Sequence, residues 1–275
     1  MLSIHRVLLS TAILILVLVA VALHSTATKI TVVPVDSGAH PQLQNLAGYS
    51  FAIVSDLHLQ NNDRAFDGWS DLVGKIDEAN PDYVFLLGDY SQADLSGANL
   101  TLFIDRFSRS LKGIDSPVFL VLGNYETWTD RSAWQRGLAS QGRKILENEV
   151  RVVADSEKPL CVRGIGDHFT GHDRYIEFPG ECSGLPQVTI THDPGGVFQW
   201  RRGGFFLAGH THCGQLRAPL LGILWAPTNA PRSGQCGFHR DEQRILFTSS
   251  GVGTSILPFR FLAQSQVEIL KFEGS

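Results

Sequence analysis

Positive charge is what this sequence has least to spare. Its 275 residues carry 23 Lys plus Arg against 27 Asp plus Glu, a formal charge of −4, with no long basic run. A chain without a basic excess has little means of displacing the counterions of a nucleic acid, so no nucleic-acid partner is expected. Charged residues are scarce altogether, at 18%, while 43% of the chain is hydrophobic. Such a chain can bury enough apolar surface to offset its conformational entropy, which excludes intrinsic disorder. Four cysteines exclude a small disulfide framework in a chain of this length, and none falls in a Cys-x-x-Cys or Cys/His zinc spacing. No internal repeat or low-complexity tract is present, and the length allows one large domain or two small ones.

What is there begins with an apolar run. Val7 to Leu23 is interrupted only by Ser10 and Thr11, and as a helix it spans roughly 25 Å, marginal for a bilayer core. Two readings of residues 1–24 compete. A signal peptide would end at a small-x-small site, which Ala20-Val21-Ala22 offers. A signal anchor would leave the run uncut, with Arg6 on the cytoplasmic side. The Ala-Val-Ala site lies inside the run rather than after it, which favours the anchor. The expected location is therefore the inner (cytoplasmic) membrane, single-pass, with the rest of the chain outside the cytoplasm; the alternative is a cleaved, secreted or periplasmic protein. Cys161 with Cys182, and Cys213 with Cys236, are sequence-local pairs that could close in an oxidising compartment, but four cysteines allow three connectivities, and four reduced thiols fit as well.

Pro34 to Gly48 reads as linker, which gives a division into 1–24, a 25–48 linker and one α/β domain at 49–275. Short apolar runs recur through that domain: Ser50–Ser55, Tyr83–Leu87, Val118–Leu122, Gln187–Thr191, Gly204–Ala208, Ile245–Ser249 and Val267–Leu270. They suit strands buried on both faces. Helical spacing at Trp69–Ala79, Leu100–Leu111 and Arg131–Gly142 alternates with the first strands, which predicts parallel βαβ units. The second half, richer in Gly and Pro, predicts a mixed or second sheet.

In open α/β sheets ligands bind beyond the carboxyl ends of the strands. Five successive strand ends here present Asp56-Leu57-His58, Gly88-Asp89, Gly123-Asn124-Tyr125-Glu126, His192, and Gly209-His210-Thr211-His212. Asp-x-His and His-x-His direct two ligands to one side of an extended segment. Two carboxylates, one amide oxygen and four imidazoles are too many for one tetrahedral zinc. Shared out, they suit two divalent cations, which clamp a phosphoryl group and make hydroxide from water at neutral pH. Mn²⁺ is favoured, with Fe or Zn²⁺ also compatible.

At these residues the sequence resembles the calcineurin-like metallophosphoesterases, whose motif series is D-x-H, G-D, G-N-H-[DE], H and G-H-x-H. Its flanks, such as Cys213-Gly214-Gln215 and Ser249 to Ser255, are similar to the bacterial membrane-associated phosphodiesterase branch. The resemblance implies a four-layer α/β/β/α sandwich, here preceded by the N-terminal apolar helix. It also implies a first metal held by Asp56, His58, Asp89 and His212, and a second completed by Asn124, His192 and His210, with Asp89 bridging. The implied activity is hydrolysis of a phosphodiester or pyrophosphate in a small-molecule or lipid-linked substrate. Membrane contact would come through the N-terminal segment.

One departure bears on substrate. The family's His after Asn is replaced by Tyr125, a hydrogen-bond donor at neutral pH but a poor proton shuttle. Basic alkoxide leaving groups suffer most from that change, so diesters or pyrophosphates are expected over simple monoesters. Bacterial UDP-diacylglucosamine pyrophosphohydrolases of lipid A synthesis, in the same superfamily, also lack this His and carry Arg; such an activity is one alternative, and a non-catalytic scaffold is the other. His168 or His172 could supply the missing group, or could be exposed loop residues. The apolar segment from Arg217 to Pro227 reads either as a buried Ω-loop or as an acyl-chain groove at a membrane edge. In the latter case Arg201 and Arg202 would face phosphate head groups.

Overall fold

All seven apolar runs form strands in the computed structural model, which describes residues 2–92 and 94–274, with the side chains of residues 2–7 left out. The orienting side chain of Arg6 therefore lies outside the described residues. In chain order the elements are α1 (Leu2–Thr26), β1 (Lys29–Asp36), β2 (Ser50–Val54), α2 (Asp63–Glu78), β3 (Tyr83–Leu86), α3 (Gly97–Ser110), β4 (Val118–Leu120), α4 (Asn124–Ser140), β5 (Glu149–Val153) and β6 (Leu160–Gly164). They continue with β7 (Gln187–Ile190), α5 (Gly195–Gln199), β8 (Gly204–Ala208), β9 (Arg217–Ala218), β10 (Gly222–Ile223), β11 (Gly237–Arg240), β12 (Arg244–Thr248) and β13 (Gln266–Glu273).

Two mixed sheets result, in the orders β1-β13-β2-β3-β4 and β11-β12-β8-β7-β6-β5. Alternation along the strands of the first sheet makes two cores. Ala52, Val54, Val84, Leu86 and Leu120 face α2, α3 and α4, meeting Phe66, Trp69, Phe103, Phe107 and Trp134. Phe51, Ile53, Phe85 and Phe119 face the other way, against Leu160, Val162, Val188, Ile190 and Leu207 of the second sheet. The outer face of that sheet is covered thinly by α5, through Val197, Phe206, Ala208 and Leu246. The layers are therefore α/β/β/α, the last one much reduced.

The 25–48 segment is not a linker. β1 pairs in parallel with β13 over all eight residues, from Lys29↔Gln266 to Asp36↔Glu273. Val35, Leu43 and Leu46 enter the core between the sheets. Pro34 weakens the strand signal, yet β1 is an edge strand, where a missing N–H is tolerated. Only Ala27 and Thr28 separate the apolar, largely exposed α1 from the sheet. α2 starts earlier than its spacing suggested, at Asp63 beyond an Asn62 cap, whereas α4 is broken at Asp130 and its second part begins at Arg131 as expected, after a short helical stretch that opens at Asn124. Cys161–Cys182 and Cys213–Cys236 are both disulfides. Replacing Val35 with Asp should cost about 3 kcal/mol by placing an unpaired carboxyl in the inter-sheet core; a urea midpoint matching the parent chain would show that β1 hangs free.

Candidate metal centre

Five of the seven proposed ligands share an unusual backbone. Asp56, His58, Asp89, His210 and His212 have φ between 45° and 69°, a left-handed region that costs a non-glycine residue roughly 1 kcal/mol or more. Short strands ending in sharp turns bring this about, with glycine where space runs out. A Cβ on Gly209 would collide with Ser55 Oγ and press on Asp56 Oδ2, and one on Gly123 would collide with the Asp89 carboxylate. Strained geometry of this kind persists where the surrounding layers overdetermine it, and it concentrates at functional sites.

These turns gather two clusters. Ligand atoms of Asp56, His58 and His212 lie within 4.8 Å of one another, as do those of Asp89, His192 and His210. Asp89 also stands between the two, with Oδ2 3.4 Å from His192 Nε2 and 3.7 Å from His58 Nε2. Asn124 Oδ1 is 3.1 Å from His192 Nε2. All seven residues expected from the sequence therefore converge, and all are buried.

The pattern of protons fits cations. His192 Nδ1 donates to Leu87 O and His210 Nε2 to Pro227 O, each at 2.6 Å. Carbonyls only accept, so the rings turn His192 Nε2 and His210 Nδ1, 3.1 Å apart, toward each other as lone pairs. Two facing lone pairs need a proton or a metal between them. Buried Asp56 Oδ1 likewise has no hydrogen-bond partner among the described residues. With oxygen and imidazole donors and no thiolate, the set suits divalent cations of intermediate hardness.

Electrostatics separates the clusters. Burial disfavours charge on His192, but the adjacent Asp89 carboxylate overrides it and raises the ring well above the usual histidine range. Burial also works against ionised Asp89, yet His192 and His58 hold it well below the normal carboxylate range. In the first cluster burial wins, reinforced by His58 and Arg260, and pushes His212 down to about 3. Its imidazoles are uncharged, whereas the second cluster retains a proton that a cation would have to displace.

Several supporting residues were not foreseen. Glu126 accepts the backbone N–H groups of Asp89, Tyr90 and Gly123 at 2.8, 2.8 and 2.9 Å, fastening two ligand loops together. Burial and then the Asp89 charge raise its carboxyl to about 7. Its place three residues into α4, reaching back to the preceding backbone, is a helix-start signature that could have revealed it. Arg260 had no such signal. Fully buried, it donates to Ser250 O and Gly253 O and approaches His212 Nδ1 at 3.0 Å. A guanidinium is donor-only, so this contact engages the Nδ1 lone pair of His212 and fixes the orientation of the ring.

Other expectations are corrected. His168 pairs with Asp173, and His172 meets Thr170; the neighbouring Phe169 reaches the site instead, 4.8 Å from the His210 ring. Arg202 pairs with Glu177, and neither it nor Arg201 lines the cleft. The 217–227 segment is not a buried Ω-loop, because Leu221 and Trp225 are 70% and 64% exposed. Cys213 is no free thiol beside a metal; its disulfide ties the turn after His212 to Cys236. The ligands open into a cleft of about 390 Å³ whose remaining walls include Tyr125, Trp128, Phe169, Leu224, Trp225 and Ile256. Tyr125 packs edge-on to the His58 ring and its hydroxyl lies 2.9 Å from Ser255 Oγ.

The calcineurin-like phosphoesterase family matches residues 49–214, more than half of the chain and a stretch containing every candidate ligand. The chain is 29% identical over 232 residues to phosphodiesterase YaeI of Escherichia coli (strain K12), covering 82% of this chain and 83% of that protein. It is 26% identical over 272 residues to a transmembrane protein with metallophosphoesterase domain from Danio rerio, covering 91% of this chain and 59% of that protein. Among solved structures, the 5'-nucleotidase precursor from Thermus thermophilus aligns with a TM-score of 0.46 at 14% identity, over 82% of this chain and 54% of that one.

Gly209→Ala should lower stability by about 1–3 kcal/mol through overpacking against Ser55 and Asp56, and reduce bound metal per chain. Elemental analysis of the purified protein reads the second effect; full metal content in the variant would show that the turn is looser than its geometry indicates.

Proposed function

The chain belongs to the calcineurin-like phosphoesterase family, and on that premise we propose that this metal-dependent phosphoric ester hydrolase cleaves phosphodiesters or pyrophosphates, including lipid-linked ones. The observation that carries the reading is Asp89 standing between two imidazole-carboxylate clusters, beside a tyrosine where the family usually has histidine. Asp56, His58, Asp89 and His212 would hold one divalent ion, and Asp89, Asn124, His192 and His210 the other. When bound, such a pair neutralises the transferring phosphoryl oxygens and supplies a nucleophile from water at neutral pH. Mn²⁺ is the favoured occupant, and Fe or Zn²⁺ also fit the donors.

The chain's own residues set the rest. Leu87 O and Pro227 O orient His192 and His210, and Glu126 holds the Asp89 and Asn124 turns in register. Tyr125 N donates to Asp89 Oδ1 at 2.9 Å, which fixes the tyrosine over the site. Burial, opposed by the Ser255 hydrogen bond and aided by Asp89 and Asp56, raises its phenol above the ordinary tyrosine value. Tyr125 therefore offers a neutral hydrogen bond to a leaving oxygen and does not relay a proton. Leaving groups that depart as stable anions suit it, and the phosphodiesterase named among the relatives agrees.

Two disulfides support an oxidising compartment, and the apolar, exposed α1 supports a single-pass anchor with residues 49–275 outside the cytoplasm. That location disfavours the UDP-diacylglucosamine pyrophosphohydrolase reading, whose substrate is cytosolic. Convergence of all seven ligands disfavours a non-catalytic scaffold.

An ester panel tests the assignment. Aryl diesters or pyrophosphates should turn over at least about tenfold faster than alkyl monoesters, with activity lost in EDTA and restored by a divalent ion; faster alkyl monoester turnover would overturn it. Tyr125→Phe should reduce diester turnover only about three- to tenfold, as expected for a lost neutral hydrogen bond rather than a lost general acid, and a thousandfold loss in steady-state kinetics would assign Tyr125 a proton-transfer role.

A further inference from the structure

Large apolar side chains are exposed in an uneven pattern. Outside α1, and among the described residues, Leu220, Leu221, Leu224 and Trp225 stand out on one loop, and Ile256, Leu257, Phe259 and Leu262 on a second. Trp128 and Phe169 line the same cleft, and only Val32 and Leu102 fall elsewhere. Leu220, Ile256 and Leu262 also sit at φ of 67°, 64° and 56°, strain that exposure to water does nothing to offset. A concentrated exposed apolar patch of this kind marks an interaction surface.

The two loops are one body. Gln215 donates through Nε2 to Leu257 O and Phe259 O and accepts from Ser255 N at Oε1, and Arg217 N reaches Phe261 O. The second loop is fastened to the end of α1. Leu262 N donates to Ser25 Oγ at 3.1 Å, Arg260 N to Thr26 Oγ1 at 2.8 Å, and Ser265 N to Ser25 O at 2.8 Å. The exposed apolar surface is therefore continuous with the foot of the helix, where His24 Nε2 and Lys29 Nζ stand 3.0 Å apart.

We propose that loops 219–225 and 256–262 form a collar seated in the interfacial layer of the bilayer that α1 crosses, so that the cleft opens onto lipid. This rests on the reading of α1 as an anchor and deepens the proposed activity by naming where its substrate lies. The substrate is an amphiphilic phosphate ester taken from the membrane. Its polar group reaches the ligand clusters, while its chains run between Leu224 and Trp225 on one side and Ile256 and Leu257 on the other. Apolar loops beside a spanning helix gain by leaving water, which supplies the collar's affinity for the interface.

The test uses the full chain in phosphatidylethanolamine–phosphatidylglycerol vesicles doped with brominated-chain lipid. Flotation reads the anchor, and tryptophan quenching reads the collar. The expected result is co-flotation with quenching whose Trp225 component is lost in Trp225→Phe. Co-flotation with no Trp225-dependent quenching overturns the collar and leaves the anchor standing; failure to float overturns both. Separately, Leu221→Ser with Phe259→Ser should lower the ratio of vesicle-borne long-chain diester turnover to soluble aryl diester turnover about tenfold. An unchanged ratio overturns the collar, whereas absence of turnover on either ester strikes at the phosphoesterase reading itself.

Discussion

Seven side chains rich in lone pairs and negative charge are packed out of water around one point, and most of the architecture answers that electrostatic problem. Nitrogen atoms of His192 and His210 face each other at 3.1 Å with their protons committed elsewhere. Such an arrangement is repulsive until positive charge enters it. The protein therefore has to hold the ligands against their own repulsion. It does so with backbone carbonyls behind the imidazoles, with Glu126 stitching two loops through three N–H groups, and with Arg260 beneath the last turn. Left-handed backbone at five ligands adds to what must be held. Two stacked sheets, apolar on the faces they share, are rigid enough to hold it.

The cleft has two walls of opposite chemistry, the polar one drawn from both halves of the chain and the apolar one mostly from the second. The strand ends of both sheets make the polar wall. The long excursions after β8 and after β12 make the apolar one, with Tyr125 and Ser255 meeting at the seam. Gly123 through Glu126 serves both, since its glycine admits Asp89, its amide and carboxylate organise the ligands, and its tyrosine faces the opening.

The polar wall was readable in the sequence because it obeys a positional rule. Ligands follow buried strands, and strands of continuous apolar residues such as Tyr83 to Leu86 are hard to miss. The supports behind the wall were less readable. Glu126 carries a local helix-start signature that does not by itself reveal its role, while Arg260 acts through the fold and has none. β1 was hidden by its proline and by turn-forming neighbours from Ser37 onward. β5, β6 and β11 were missed for another reason: their sequences mix polar with apolar residues, as in Glu149-Val150-Arg151 and Gly237-Phe238-His239, so no apolar run marks them. Exposure of the 217–227 segment was equally beyond composition, since the same residues would serve a buried loop.

On the proposed reading of α1 as an anchor, the two-residue join between α1 and β1 governs how the molecule would search for substrate. Two residues extend no more than about 7 Å, and the end of the helix is itself bonded to the β12–β13 loop. The domain has no leash on which to swing. It would turn with its helix and drift sideways with it, and its mouth would stay at one height throughout. Encounters would then be set by lateral diffusion in a plane, so surface density, rather than bulk concentration, would decide how often the cleft is filled.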